Sequence, residues 1–179
     1  AFDKAGRPVC AGDVKAVGGM MVLLRDALLP NLAQTADGTP ALIHAGPFAN
    51  IAHGTASVIA QRLALDHAEF VLNEAGFGAD LGAEKYFDIV CPGAGLRPAA
   101  AVIVATVRAI LAHEPGNLQP GLANLARHID IVQGFGVPVV VALNHFPADA
   151  PEHPLAIQEF CRARGVDCEK SEVFSRGAD

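Results

Sequence analysis

Apolar residues recur at helical spacing over 13–28, where Val14, Val17, Met21, Leu24 and Leu28 fall on one side of a 3.6-residue repeat. Asp13 stands where an N-cap is wanted, and Pro30 closes the segment. A short apolar strand follows at 39–44, then a helix over 50–67 and a second strand centred on Phe70-Val71-Leu72. A glycine-rich loop at 74–79 leads into a helix over 80–90. Residues 100–106 are apolar with little interruption, the pattern of a strand covered on both faces. Leu122, Leu125, Ile129 and Val132 mark a further helix, which Gly134 and Gly136 close. Residues 138–143 read as the plainest strand in the chain, and a helix over 151–164 and a weak strand near 166–170 finish the series. Five strands alternating with helices predict an α/β fold: a doubly wound, mostly parallel sheet in a single domain spanning 1–179.

Ligands of such sheets sit beyond the carboxyl ends of the strands, so the loops there carry the candidate chemistry. After the first strand, His44 and His53 flank a Gly- and Pro-containing loop; they read either as ligands or acid/base groups, or as a loop whose histidine caps the next helix. After the second, Gly76 and Gly78 flank Phe77, with Glu74, Asp80 and Glu84 around a helix start. A phenylalanine between two glycines favours contact with a ligand, while Asp80 also suits the positive end of a helix. Arg108 ends the third strand and reads equally as an anion grip or as a solvated side chain. Phe146 follows the fourth strand and Phe174 the fifth. Three aromatic rings after strands suit a flat ligand stacked between them, or else packing beneath the loops.

Composition narrows the field. Apolar residues make up 51% of the 179 and charged residues 18%, which excludes disorder and predicts a substantial core. A formal charge of −6 without a basic cluster argues against nucleic acid or an anionic membrane as partner. No apolar run reaches the roughly 18 residues of a membrane span. The four cysteines lack CxxC spacing and read as free thiols, no zinc-ligand spacing is present, and the first residues do not resemble a signal peptide; a cytoplasmic protein is expected. There is no G-x-x-x-x-G-K-[ST] loop, no Gly-Lys dipeptide, no G-x-S-x-G and no G-x-G-x-x-G. The residues taken alone therefore predict a binding face for a flat ligand and no phosphate cradle.

Longer segments carry a resemblance. Residues 30–35 (Pro-Asn-Leu-Ala-Gln-Thr), 46–54 (Gly-Pro-Phe-Ala-Asn-Ile-Ala-His-Gly) and 74–85 (Glu-Ala-Gly-Phe-Gly-Ala-Asp-Leu-Gly-Ala-Glu-Lys) resemble the formate–tetrahydrofolate ligase family. So do 104–109, 137–142 and Ser171-Glu172-Val173. The resemblance covers the central portion of that enzyme and implies a fold similar to P-loop ATPases, with the P-loop in a segment upstream. It implies ATP-dependent ligation of formate to tetrahydrofolate through formyl phosphate, giving 10-formyltetrahydrofolate. Implied with it are ATP with Mg²⁺, a monovalent cation (K⁺ or NH₄⁺) as activator, and a homotetramer.

Carried over by position, the resemblance places Phe77, Phe146, Pro147, Phe174 and Lys170 at the folate pocket. His44, Ala49, Glu74, Gly76 and Asp80 fall near the intermediate and the cation. Phe174 replaces the family's usual tryptophan, and Lys170 stands where an apolar residue is usual. Further departures are His44-Ala45-Gly46 for His-Gly-Gly, Cys91-Pro92-Gly93-Ala94, and a shortened stretch over 113–121. Catalytic groups of the phosphate-binding loop are not assigned, and the chain by itself is expected to lack turnover. A non-catalytic folate-binding or assembly fragment is the alternative.

Overall fold

A computed structural model describes residues 1–46 and 51–177. The chain divides into two compact units, one of Ala1–Pro47 with Ala56–Leu72, the other of Phe48–Thr55 with Asn73–Asp179.

In the first unit, Asp3 folds the amino terminus into a clasp: its Oδ1 accepts from the Ala5 and Arg7 backbone N–H groups, both at 2.9 Å, and its Oδ2 from Arg7 Nε at 2.8 Å. Helix α1 (Val17–Leu24) starts later than the apolar repeat predicts and has no side-chain cap. Asp13 is not its N-cap; its carboxylate instead accepts from the Cys10 N–H at 2.8 Å, which closes a turn before the helix. A 3₁₀ turn (Asp26–Leu28) leads to β1 (Asn31–Gln34) and β2 (Pro40–Ile43), which pair antiparallel from Asn31 opposite Ile43 to Gln34 opposite Pro40. The first predicted strand is thus half of a hairpin and not a member of the parallel sheet. Helix α2 (Val58–His67) is capped by Ser57, whose Oγ accepts from Ala60 N at 2.9 Å. Residues 70–72, predicted as the second strand, join no sheet; Phe70 and Leu72 are 83% and 97% exposed, so no neighbour supplies the ladder a strand needs.

The second unit is the α/β body. Two successive π-helical turns (Ala79–Ala83 and Tyr86–Val90) run into the short α3 (Cys91–Ala94). Strands β3 (Ala101–Thr106), β4 (Val139–Asn144) and β5 (Asp167–Ser171) form a parallel sheet in that order, with Ala101 beside Val139 and Val140 beside Asp167. Among the described residues the parallel sheet therefore has three strands, not the predicted five. Between strands lie α4 (Val107–Leu111), α5 (Gln119–Gly134) and α6 (Glu152–Ala163), and α7 (Val173–Arg176) follows β5. Thr106 caps α4 by accepting from Ala109 N at 2.9 Å, and a Cβ on Gly121 would overlap the Ile110 carbonyl, so α4 and α5 meet at bare backbone. Gly134 ends α5 and Gly136, at φ 75°, turns the chain toward β4, as the sequence predicts.

The core lies on one side of this sheet. Val141, Leu143, Ile129, Ile157 and Cys161 are fully enclosed, and each large aliphatic chain contributes about 1.5–3 kcal/mol. Strand β4 alternates buried and half-buried positions along its length. Strand β3 departs from prediction: Ala105 is buried, but Val102 and Val104 are 60% and 64% exposed, so its second face is uncovered. All four cysteines are free; Cys168 donates to Cys161, which raises the Cys168 thiol above its ordinary value and lowers that of Cys161. Among the described residues no helix is long and apolar enough to cross a membrane.

Candidate functional site

The loop bearing Phe77 is built by close backbone approach. A Cβ on Gly82 would overlap the Gly76 carbonyl oxygen, and one on Gly54 would overlap the Gly82 carbonyl oxygen. Only glycine permits this stacking of three backbone segments, and Asn73 secures it by donating from Nδ2 to the Gly54 carbonyl at 2.8 Å. The two flanking glycines then differ in role. Glu74 folds its carboxylate over Gly76, where a Cβ would stand 2.6 Å from Oε1; Gly78 takes φ 95°.

Phe77 itself adopts φ 70°, a left-handed conformation that costs a non-glycine residue roughly 1–2 kcal/mol. Phe77 as a whole is 66% exposed, so burial returns little of that cost. Strained backbone positions of this kind cluster at functional sites, and here the strain coincides with an exposed aromatic side chain. The π-helical turns that follow are a second irregularity, of a kind frequent beside functional sites.

Asp80 lies in the first of these turns, exposed, with Oδ1 4.0 Å from His128 Nδ1 on α5. A Cβ on Gly78 would come within 2.8 Å of the Asp80 carboxylate and 3.5 Å of His128 Cε1. Sequence reasoning missed His128, whose Nδ1 is buried without a hydrogen bond. Its place between the apolar positions Leu125 and Ile129 gave no signal, because only the packing of α5 against the loop brings it there.

A second group assembles beyond the carboxyl ends of β4 and β5. The His145 N–H donates to the Ser171 carbonyl at 2.8 Å, and the Phe146 N–H donates to Asp149 Oδ2 at 2.9 Å. Phe146 is half-buried and Pro147 exposed. Glu172 gathers Lys170 Nζ at 3.1 Å, Arg176 Nε at 3.4 Å and His145 Nδ1 at 3.5 Å. The Lys170 hydrogen bond, helped by the charges of Arg176, Lys170 and His145, holds the Glu172 carboxyl below its usual range despite partial burial. His145, Glu172 and Arg176 were not singled out from the sequence as site residues; their spacing acquires meaning only when adjacent parallel strands end together.

His44 has a different setting. It is buried in the first unit at the end of β2, so it does not lie at the end of a parallel strand as predicted. Its Nε2–H donates to the Ala27 carbonyl at 2.8 Å, and its Nδ1 accepts from the Ser57 hydroxyl at 2.6 Å. Ala27 can only accept at its carbonyl, which fixes the tautomer. Both ring nitrogens are thereby engaged, joining the 3₁₀ turn to the cap of α2. His53 is exposed. Ala49 and the side chain of Phe174 lie outside the described residues; the backbone of Phe174 belongs to α7. Among the described residues no three His, Cys, Asp or Glu side chains converge to hold a metal ion.

Comparison with known proteins gives these loops a context. The sequence model of the family described as formate–tetrahydrofolate ligase matches residues 1–179. The chain is 56% identical over 181 residues to the formate–tetrahydrofolate ligase of Allorhizobium ampelinum, covering 95% of this chain and 33% of that protein. It is 54% identical to that of Paracoccus denitrificans over 98% of this chain and 33% of the relative. With the Methylorubrum populi ligase it shares 55% identity over 88% of this chain and 30% of the relative. The chain thus spans about a third of the length of these relatives. Because that family model matches residues 1–179, the chain belongs to the formate–tetrahydrofolate ligase family.

Proposed function

We propose that this chain supplies folate- and intermediate-binding surface to an ATP-dependent formate–tetrahydrofolate ligase. In that reaction a formate oxygen attacks the γ-phosphorus of ATP, giving formyl phosphate and ADP. N10 of tetrahydrofolate then attacks the formyl carbon and phosphate leaves, giving 10-formyltetrahydrofolate. Phe77 is the observation that carries the reading: an exposed ring, strained at φ 70° and fixed between two glycines, offers a flat face to a pterin. Phe146 and Pro147 would line the same ligand's path, with Phe174 and Lys170 beyond them. Glu74, Gly76 and Asp80 would border the intermediate, with His128 against Asp80. His44, with both ring nitrogens engaged, keeps a structural part in this reading, and Ala49 stays assigned by resemblance alone.

ATP, Mg²⁺ and a monovalent cation belong to the proposal for the complete enzyme, as does its homo-oligomeric assembly. Mg²⁺ would neutralise charge on the ATP phosphates, and among the described residues of this chain no His, Cys, Asp or Glu side chains converge on a metal site. Phosphoryl transfer needs a lysine, backbone N–H groups and a metal around the developing charge. None of the four lysines (Lys4, Lys15, Lys85, Lys170) follows a glycine in this sequence, so the chain alone is expected to lack turnover.

Steady-state kinetics of a complete ligase containing this segment test the reading. Phe77→Ala should lower tetrahydrofolate kcat/KM by about 1–3 kcal/mol in transition-state terms while the fold persists. Wild-type kinetics in that variant would reduce Phe77 to packing. Formyltransfer by the 179-residue chain, supplied with ATP, Mg²⁺, K⁺, formate and tetrahydrofolate, at the rate of the complete ligase would place the phosphate site in residues read here as scaffold.

A further inference from the structure

Glu172 holds two exposed cations in place. Lys170 donates to its Oε1 at 3.1 Å, and Arg176 Nε lies 3.4 Å from its Oε2, while His145 backs the same carboxylate at 3.5 Å. The side chains of Lys170 and Arg176 are 41% and 73% exposed; those of Glu172 and His145 only 25% and 20%. Lys170 and Arg176 bring two positive charges against the one negative charge of Glu172. The group therefore presents a surplus positive charge outward, pinned from beneath by a carboxylate that stays ionised at neutral pH. Cations held in this way lose less side-chain freedom when an anion arrives than free ones do.

We propose that Lys170 and Arg176, fixed by Glu172, receive the carboxylates of the glutamyl tail of the folate substrate. The proposal rests on the folate-pocket reading above and extends it to the tail. A pterin is held through its flat faces, whereas its glutamyl end carries the negative charge and points away from the ring. Cations beside the Phe146–Pro147 loop meet that end. Their exposure suits a solvated flexible polyanion; a transferring phosphoryl group calls for enclosed, converging donors. Arg176 can grip a carboxylate with two parallel N–H groups, and Lys170 brings three donors on a flexible stem. Lys170 stands where the family resemblance leads one to expect an apolar residue, so this grip is a feature of this chain's own sequence.

Calorimetric titration of the chain, and of the complete ligase containing it, separates the possibilities with five probes. These are pteroate, pteroylmonoglutamate, pteroyltriglutamate, γ-linked triglutamate without a pterin, and inorganic phosphate. In the double variant Lys170→Leu, Arg176→Ala, affinity for pteroyltriglutamate should fall about tenfold, for the monoglutamate less, and for pteroate not at all. Lys170→Arg alone should retain triglutamate binding, which guards against a misfolded double variant. Unchanged triglutamate affinity overturns the proposal, and so does an equal loss for pteroate, which would make these residues part of the ring pocket. Preference of the site for phosphate over γ-linked triglutamate overturns it as well. Should pteroate fail to bind while γ-linked triglutamate binds and weakens in the double variant, the folate-ring reading falls and the anion site stands. Binding of neither overturns both.

Discussion

Helices α1 and α5 both carry abundant apolar residues, yet α1 buries none of them and α5 buries four, Leu122, Leu125, Ile129 and Val132. The difference runs through the two units. In the first, Met21, Val22, Leu23, Leu29 and Leu32 are each more than 65% exposed, and among its described residues those buried are His44 and Ala60. In the second, Leu122, Leu125, Ile129, Val141, Leu143 and Ile157 close into one core. The apolar content of a segment thus sets its tendency to be covered, but a partner surface must be present for that tendency to become stability. The first unit relies instead on local polar geometry: the Asp3 clasp, the hairpin, and the relay from the Ala60 N–H through Ser57 and His44 to Ala27.

The sharpest way to break this contrast is a pair of matched truncations. Leu143→Ala in β4 should destabilise the second unit by about 2–5 kcal/mol, whereas Leu23→Ala in α1 should change stability by less than about 0.5 kcal/mol. Chemical denaturation followed by circular dichroism reads both. Equal effects would mean that α1 is covered in solution.

His44→Ala is the counterpart for the first unit. Removing the imidazole strands the Ala27 carbonyl and the Ser57 hydroxyl, and a loss of about 1–3 kcal/mol is expected there. Amide exchange should quicken in α2 and around residue 27 while β4 keeps its protection. A uniform acceleration would show that the relay supports both units.

Phe77→Gly sharpens the comparison from the other side, because it removes strain and not packing. Stability should rise by about 1 kcal/mol as the left-handed position loses its side chain, set against the greater freedom of glycine in the unfolded chain. Tetrahydrofolate use by the complete ligase should fall as for Phe77→Ala. A destabilised variant would assign the ring to the fold.

The smallest effect compares two surface carboxylates, one per unit. The Arg7 backbone N–H, then its guanidinium, lowers Asp3 from 3.8, and the Lys170 hydrogen bond lowers Glu172 from 4.5. Since both folded values lie below the unfolded ones, their stabilisation is complete above those ordinary values and disappears as pH falls through the depressed ones. Carboxyl chemical shifts followed by NMR should show both midpoints displaced downward. An ordinary midpoint at Glu172 would mean that Lys170 and Arg176 are not held by it.

The sequence by itself determined the second unit's secondary structure well. Helix α5 with its glycine stop, strand β4 and helix α6 fall where the apolar spacing puts them, because each has a partner to bury its apolar face. Strand β5, with Cys168 as its one buried position, lies close to the weak strand expected near 166–170. Phe77 stands out in the sequence as a ring between two glycines, and the structure adds its left-handed backbone and its exposure. Tertiary structure decided what spacing cannot encode. Residues 39–44 and 70–72 have strand-like composition, but pairing is a property of two segments: one found an antiparallel neighbour in β1 and the other none among the described residues. Strand β3 is apolar on both faces, yet only the arrangement of helices decides which face is covered. Glu172, Lys170, Arg176 and His145 became one electrostatic group because parallel strands end side by side, and His128 met Asp80 because α5 packs against the π-helical turn. Local periodicity reports the preference of each residue for burial, whereas charge pairing and strand pairing depend on distances between segments, which the fold alone sets.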